Sequence, residues 1–226
     1  MLIYAKQPIN YIIKNHPNKI KILYLAKEMD KKEYSKLMKM DFELKRIPAD
    51  AAGKMCKNAS HQGILAEIDE YEMHDYKTFL SSEFVLVLSA LTDIGNIGAI
   101  VRTAYALGVD GIIACGVKKL PFEAILRTST GTLFDMPFAV ETNIHNVMND
   151  LKTSGFTTYG ADMDGKDIRD VKVKRKRALF LGSEGEGLTS RVSSKLDEIV
   201  SITMSHDFDS LNVSVAGAIL MDRMRV

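Results

Sequence analysis

The sequence predicts an α/β protein in two modules, the larger built on a mostly parallel, doubly wound sheet. Three observations carry this expectation. Short apolar runs such as FVLVLSAL (84–91) and GIIACG (111–116) read as strands buried on both faces. Segments of helical periodicity alternate with them at short intervals. Charge is unevenly spread: residues 1–66 hold 13 Lys and Arg against 6 Asp and Glu, whereas the remainder holds 17 against 23. Such asymmetry marks two modules, the first either docking a polyanion or carrying a solvated lysine-rich face.

In chain order, residues 2–15 read as a short helix with Tyr4, Ile9, Ile12 and Ile13 at helical spacing. KIKILYLA (19–26) is a strand, DKKEYSKLMKM (30–40) an amphipathic helix, ELKRIPA (43–49) a strand, ADAAGKMCKN (49–58) a small helix and GILAEID (63–69) a strand. Residues 1–72 thus form a compact module. The polar stretch around YEMHDYKTFLSS places a linker at 73–83, and the second module spans 84–226. There GNIGAIVRTAYALG (95–108) is a helix ended by Gly108, a natural C-cap. MPFAVE (136–141), HNVMNDLKTSG (145–155), FTTYGAD (156–162), RALFLGSEGEGL (177–188) and EIVSITM (198–204) continue the alternation. The closing stretch from Leu211 fits either a half-buried strand or a helix.

Composition narrows the function. Of the 226 residues 46% are apolar, enough for a real core. Lys6, Gln7, Pro8 and Asn10 interrupt the first apolar stretch, so no signal peptide is expected. No apolar run reaches the roughly 18 residues of a membrane span. Cys56 and Cys115 sit in unrelated contexts, against a disulfide framework and against a metal site. A cytoplasmic protein without membrane contact is the expectation.

Three clusters hold the candidate chemistry. LTDIGNIGAIVRTA (91–104) follows a strand and opens a helix, where open α/β sheets bind ligands. It lacks the GxGxxG and P-loop patterns; Asn96 is either a helix cap or a site residue, and Arg102 either a surface or a site arginine. LFLGSEGEGLT (179–189) carries Gly182, Gly185 and Gly187, glycine spacing that brings backbone close to a neighbour or forms a plain turn. Its Glu184 and Glu186 argue against a phosphate cradle. EIVSITMSHDFDSLNVSVAGAIL (198–220) places Ser210 before an apolar helix as a natural N-cap, which leaves Asn212 unexplained inside the first turn.

Together the clusters resemble the three motifs of the SpoU–TrmH branch of the SPOUT RNA methyltransferases, in order and at matching spacing: Asn96 with Arg102, Gly182-Ser-Glu-Gly-Glu-Gly-Leu188, and Ser210-Leu-Asn-Val-Ser-Val-Ala216. The first module, with Ser60-His61-Gln62-Gly63-Ile64 near its end, is similar to that family's ribosomal-protein L30e-like RNA-binding domain. Departures are Asp93-Ile94-Gly95-Asn96, where the family has proline after the aspartate, Thr203 in place of a proline, and His206 in place of a glycine.

The resemblance implies a C-terminal α/β knot, a deep trefoil, with S-adenosylmethionine bound in it and a homodimer formed around it. It implies 2′-O-methylation of a ribose in RNA. The module layout points to a guanosine of 23S rRNA; the alternatives are tRNA ribose or a non-catalytic RNA-binding factor on the same scaffold. A nucleotide-dependent oxidoreductase lacks its glycine fingerprint here. By the same resemblance Asn96, Arg102, Glu184, Ser210 and Asn212 stand at the reacting centre, with Glu184 orienting Arg102 through a salt bridge. Gly182, Gly187, Ile202 and Leu211 line the cofactor pocket. No metal is implied, and the 2′-hydroxyl requirement rejects DNA. The resemblance casts Arg102 as a general base or as a purely electrostatic group; because a guanidinium keeps its proton, the electrostatic role is the expectation. Lys19, Lys21, Lys31, Lys32, Lys45, Arg46, Lys54 and Lys57 would dock the RNA.

Overall fold

The structure, a computed structural model, describes residues 1–206 and 210–225. It divides into two compact units, Met1–Glu72 with Pro121–Phe134, and Met73–Leu120 with Asp135–Val226.

The first unit begins with strand β1 (Leu2–Tyr4) and helix α1 (Lys6–Asn15), then β2 (Ile20–Leu25), α2 (Lys31–Leu37), β3 (Glu43–Arg46), α3 (Ala49–Met55) and β4 (Ile64–Ile68). Its sheet runs β1-β4-β2-β3, with β4 antiparallel to both neighbours. The start of the chain corrects the expected helix over 2–15. Leu2–Tyr4 instead pair with Tyr4↔Leu65 and Ile3↔Ala66, and Ala5 breaks the path at φ 84. Helical spacing is a local signal, and completing the edge of a sheet overrides it. Asp30 caps α2, its carboxylate accepting from the N–H groups of Lys32 and Glu33.

The second unit contains β5 (Phe84–Ser89), α4 (Ile94–Leu107) and β6 (Gly111–Cys115). Helix α5 (Phe122–Thr128) then packs with the first unit, the Arg127 guanidinium lying 4.5 Å from the Tyr4 ring centre. The second unit resumes with β7 (Phe138–Glu141), α6 (Ile144–Thr153), β8 (Thr157–Asp167), β9 (Arg177–Leu181), the short α7 (Ser190–Ser193), β10 (Glu198–Ser201) and α8 (Val213–Arg223). The strand order is β10-β8-β9-β5-β6-β7, and every pairing is parallel. All six residues of β5 are buried, which is why the run reads as apolar without alternation.

Alternate residues of the central strands build two layers. Val85, Val87, Ile113, Ala178 and Phe180 pack with Val147, Met148 and Leu151 of α6, and with Tyr76 and Phe79. Those two aromatics sit in a 3-10 turn, Tyr76–Ser81, so the stretch expected as linker contributes to this core. On the second unit's other side α8 packs against α4 and β9. Gly217 makes the approach possible: a Cβ there would stand 2.9 Å from the Leu181 side chain. The basic run 172–177 is partly tied down. Arg175 pairs with Glu83, the Lys176 ammonium donates to the Leu80 carbonyl, and Arg177, 6% exposed, lies 4.1 Å over the Phe84 ring. No helix among the described residues is long and apolar enough to cross a membrane.

Two joints hold the outer strands. Asp197 accepts from the Lys152 ammonium at 2.8 Å and from the N–H and hydroxyl of Thr158 at 2.8 and 2.7 Å, linking α6, β8 and the segment before β10. Gly165 lies so close to β10 that a Cβ would meet backbone atoms of Ile199 and Val200 at 2.7 Å. We expect Gly165→Ala to lower the unfolding free energy by about 1–3 kcal/mol, read as a lower denaturant midpoint, because backbone cannot step aside without unpairing the strands. Burial pushes the Asp197 carboxyl up, but Lys152 and Thr158 outweigh it and leave it lowered. A lowered carboxylate stabilises the fold above the ordinary range, about pH 4, and that stabilisation is lost as pH falls through the lowered value. Urea midpoints measured against pH should fall less steeply on the acid limb for Asp197→Asn than for the wild type.

Candidate active site at the carboxyl ends of the parallel strands

The three segments singled out in the sequence follow the carboxyl ends of β5, β9 and β10, the edge where open parallel sheets bind ligands. β5 and β9 are hydrogen-bonded neighbours, so the first two segments leave the sheet from adjacent strands. The third leads into α8, which packs on α4 and β9.

In the first segment Asp93, not Asn96, caps α4. Its carboxylate accepts from the Asn96 N–H at 2.7 Å, and Gly108 closes the helix in the left-handed conformation. The cap reading of Asn96 is thereby removed, and its side-chain amide is not used by the helix. Arg102, two turns on, is exposed. Six residues of helix turn it away from the face of Asn96.

The second segment is a closed turn rather than a flexible one. Ser183 N–H donates to the Gly187 carbonyl at 3.2 Å, and Gly187 N–H returns the bond to Ser183 at 3.0 Å. What the backbone approaches at Gly182 is its own loop: a Cβ there would lie 2.0 Å from the Gly187 carbonyl carbon and 2.4 Å from the Leu188 nitrogen. Gly187 has φ 65, which favours glycine, yet a Cβ on it would meet nothing within 4 Å. Glu184 and Glu186 are exposed between the two ends.

In the third segment Asn212 is the N-cap of α8, which corrects the assignment of that role to Ser210. The Asn212 side-chain oxygen accepts from the Ser214 N–H at 2.9 Å and from the Ser214 hydroxyl at 2.6 Å. Ser214 therefore fixes the amide of Asn212. With the oxygen turned to the helix, the two amide N–H donors face away from it. Ser210 and Asn212 are exposed, while Ile202 and Leu211 are half-buried. Asp207, Phe208 and Asp209 of this cluster lie outside the described residues. The signal for the cap was present in the sequence, since Asn precedes the apolar run by one residue as well as Ser by three; only the backbone chooses between them.

Among the described residues no hydrogen bond or ion pair joins any two of the Asn96, Arg102, Glu184, Ser210 and Asn212 side chains. The expected Arg102–Glu184 salt bridge is accordingly not formed here. Between exposed groups such a bridge is worth at most about 1 kcal/mol, so nothing in the lone chain compels it. No group of His, Cys, Asp and Glu suited to a metal ion occurs among the described residues.

In the first unit the loop before β4 is held by its own polar groups. Gln62, at φ 55, accepts the Lys6 N–H through its side-chain oxygen at 2.9 Å, and the His61 ring accepts the Gly63 N–H at 3.1 Å. Lys21, Lys31, Lys32, Lys45, Arg46, Lys54 and Lys57 are exposed, and Lys19 is half-buried.

Comparison with known proteins matches both halves in order. The SpoU rRNA Methylase family is matched over residues 83–222 and the RNA 2′-O ribose methyltransferase substrate-binding family over 2–74. A Staphylococcus aureus protein named a TrmH family tRNA/rRNA methyltransferase is 33% identical over 93% of this chain and 89% of its own length. A Borreliella burgdorferi protein named a tRNA/rRNA methyltransferase is 32% identical over 88% and 94%. Among solved structures, the SpoU methyltransferase AviRb from Streptomyces viridochromogenes, crystallised with AdoMet, superposes with a TM-score of 0.81 at 23% identity, covering 99% of this chain and 88% of that one. An AdoMet-bound rRNA methyltransferase from Sinorhizobium meliloti gives 0.80 at 21%, covering 99% and 86%. These last two share the fold, and the sequence matches place the chain itself: it belongs to the SpoU rRNA methylase family of RNA methyltransferases.

Proposed function

We propose that the protein moves a methyl group from S-adenosylmethionine to a ribose 2′-hydroxyl of RNA, on a guanosine of 23S rRNA. The observation that carries this reading is that the polar groups of the three segments are not consumed by the fold. Arg102 and Glu184 are exposed without an ion pair among the described residues, and the Asn212 amide keeps its donors. The names of the relatives, which span tRNA and rRNA, keep tRNA ribose as the second reading.

The residues present suit the cofactor. Half-buried Ile202 and Leu211 offer apolar surface for an adenine, and the open side of Gly187 leaves its backbone approachable. S-adenosylmethionine held there would supply an electrophilic methyl carbon on a sulfonium. The protein's work is then alignment and charge stabilisation. Arg102 would hold the phosphate beside the target ribose and stabilise the oxyanion that develops at the 2′-oxygen. Glu184 would turn Arg102 toward it once bound RNA excludes water, where a charge pair gains strength. Asn96, Ser210 and the donors of Asn212 would position the ribose.

The same reading extends to the fold and its partners. A trefoil knot in the second unit is supported by the chain path: β9 enters the sheet between β5 and β8, and α8 then packs back on β9 and α4. A homodimer is supported by apolar surface left on both helices, Val215 of α8 being 48% and Tyr105 of α4 43% exposed. The first unit would be the L30e-like RNA-docking module, and its lysines suit phosphates. Among the described residues Lys21 pairs with half-buried Asp69 and Lys45 with exposed Glu43, pairs weak enough to exchange.

Labelled S-adenosylmethionine, supplied with total rRNA and tRNA from a strain lacking the gene, tests the reading. Label should appear at one 2′-O position of large-subunit rRNA. Label in tRNA alone would overturn the substrate, and no label with either would overturn the activity. Arg102→Ala should cut turnover about 100-fold or more while cofactor binding persists. Asn212→Asp keeps an acceptor for the α8 cap but loses the amide donors, so turnover should fall with little change in melting temperature; unchanged turnover would remove Asn212 from the centre.

A further inference from the structure

The chain leaves β10 at Ser201 and runs directly into Ile202, beyond the last ladder pair, Ser201↔Asp167. Past that pair, both neighbours of Ile202 are held by side-chain bonds. The Ser201 hydroxyl donates to the Gly165 carbonyl at 2.8 Å. The Thr203 hydroxyl donates to the Asp167 carboxylate. Both acceptors belong to the end of β8.

That end is itself unusual. β8 pairs with β10 in two stretches: Glu198 and Ile199 face Tyr159 and Gly160, and Val200 and Ser201 face Lys166 and Asp167. Residues 161–165 lie between the two stretches with no partner in this ladder. The second stretch could shift along the strand, because register is weakly specified where a strand is polar and carries glycine, as over Ala161–Gly165. Asp167 stands against such a shift. Its carboxylate accepts from the Arg169 backbone N–H at 2.8 Å and from the Arg169 guanidinium at 2.6–3.1 Å. Asp167 is 12% exposed at its side chain and Arg169 61%. The pairing with Arg169, then the bond from Thr203, holds the carboxyl well below the usual carboxylate range, so the acceptor stays charged at any working pH. Asp167 also caps the 3-10 turn Ile168–Asp170, which adjoins α8. The same few atoms thus bear on the segment carrying Ile202 and on the helix that follows Leu211.

We propose that Thr203, bonded to the Asp167–Arg169 pair, is a positioning residue that sets the backbone of Ile202 against the S-adenosylmethionine pocket. The inference rests on the reading above that Ile202 lines that pocket. Thr203 is exposed, so its hydroxyl is not needed to satisfy a buried group. Its bond restrains a segment that has left the sheet.

The test is calorimetric titration of S-adenosylmethionine into the full chain, with melting temperature recorded for each variant. Thr203→Val should raise Kd about tenfold, as expected for loss of a bond to a charged acceptor. Thr203→Ser should restore Kd to within about twofold of wild type. Asp167→Asn, which loses the charge that locks Arg169, should raise Kd in the same direction. Hydrogen exchange in a peptide spanning 198–206 should quicken in Thr203→Val, and melting temperature should move little. Wild-type affinity in both Thr203→Val and Asp167→Asn would overturn the proposal and leave the pocket standing. A lower melting temperature at unchanged Kd would overturn it in favour of a mere edge lock. A wild-type chain that binds no S-adenosylmethionine would overturn the pocket reading and the proposal together.

Discussion

A Cβ on Gly182 would stand 2.0–2.4 Å from backbone atoms of Gly187 and Leu188, and much of the candidate site depends on that close approach. It lets the chain fold back on itself immediately after β9 and close with two reciprocal backbone bonds. The closed turn keeps Leu188 buried in the core below while Glu184 and Glu186 stay in water. Any side chain at 182 would open the turn, free Leu188, and loosen the layer shared with Val192 and α6. Rigid backbone carrying exposed functional groups is how a site keeps its geometry without burying charge.

The legible parts of the chain were those whose signal is local. β5, β6 and β9 are buried on both faces, so each reads as an unbroken apolar run. α4 carries its own start and stop in Asp93 and Gly108. The candidate site residues were singled out because their segments resemble a family's motifs in order, not because periodicity marks them. Illegible parts have signals held by distant partners. β1 is three residues long, and only β4 makes it a strand. Nothing in 121–134 announces that it packs with the first unit, since the partners are Tyr4, Tyr11 and Tyr71. Ser210 and Asn212 both look like caps, and the choice depends on where α8 begins. The bond from Thr203 to Asp167 spans 36 residues, beyond any local pattern.

Charge is used differently in the two units. In the first, lysines remain exposed or weakly paired, so meeting a polyanion releases ions at small cost. In the second, cations of the basic run are partly committed: Arg175 to Glu83, Lys176 to Leu80 and Phe156, Arg177 to Phe84.

Arg102 has no ion pair among the described residues, and its exposure matters to how it would act. A hydrated guanidinium without an ion pair carries little orientation of its own. RNA that covers it would remove water and lower the local dielectric, so its attraction to Glu184 and to a phosphate would strengthen at the same moment. The substrate would thereby complete the charge arrangement that stabilises its own 2′-oxyanion. On the proposed reading such a site would hold its neutral groups, such as Asn212 bound by Ser214, in advance, and would leave the charged ones to the encounter. That division avoids the desolvation penalty a preformed buried ion pair would impose on the free protein.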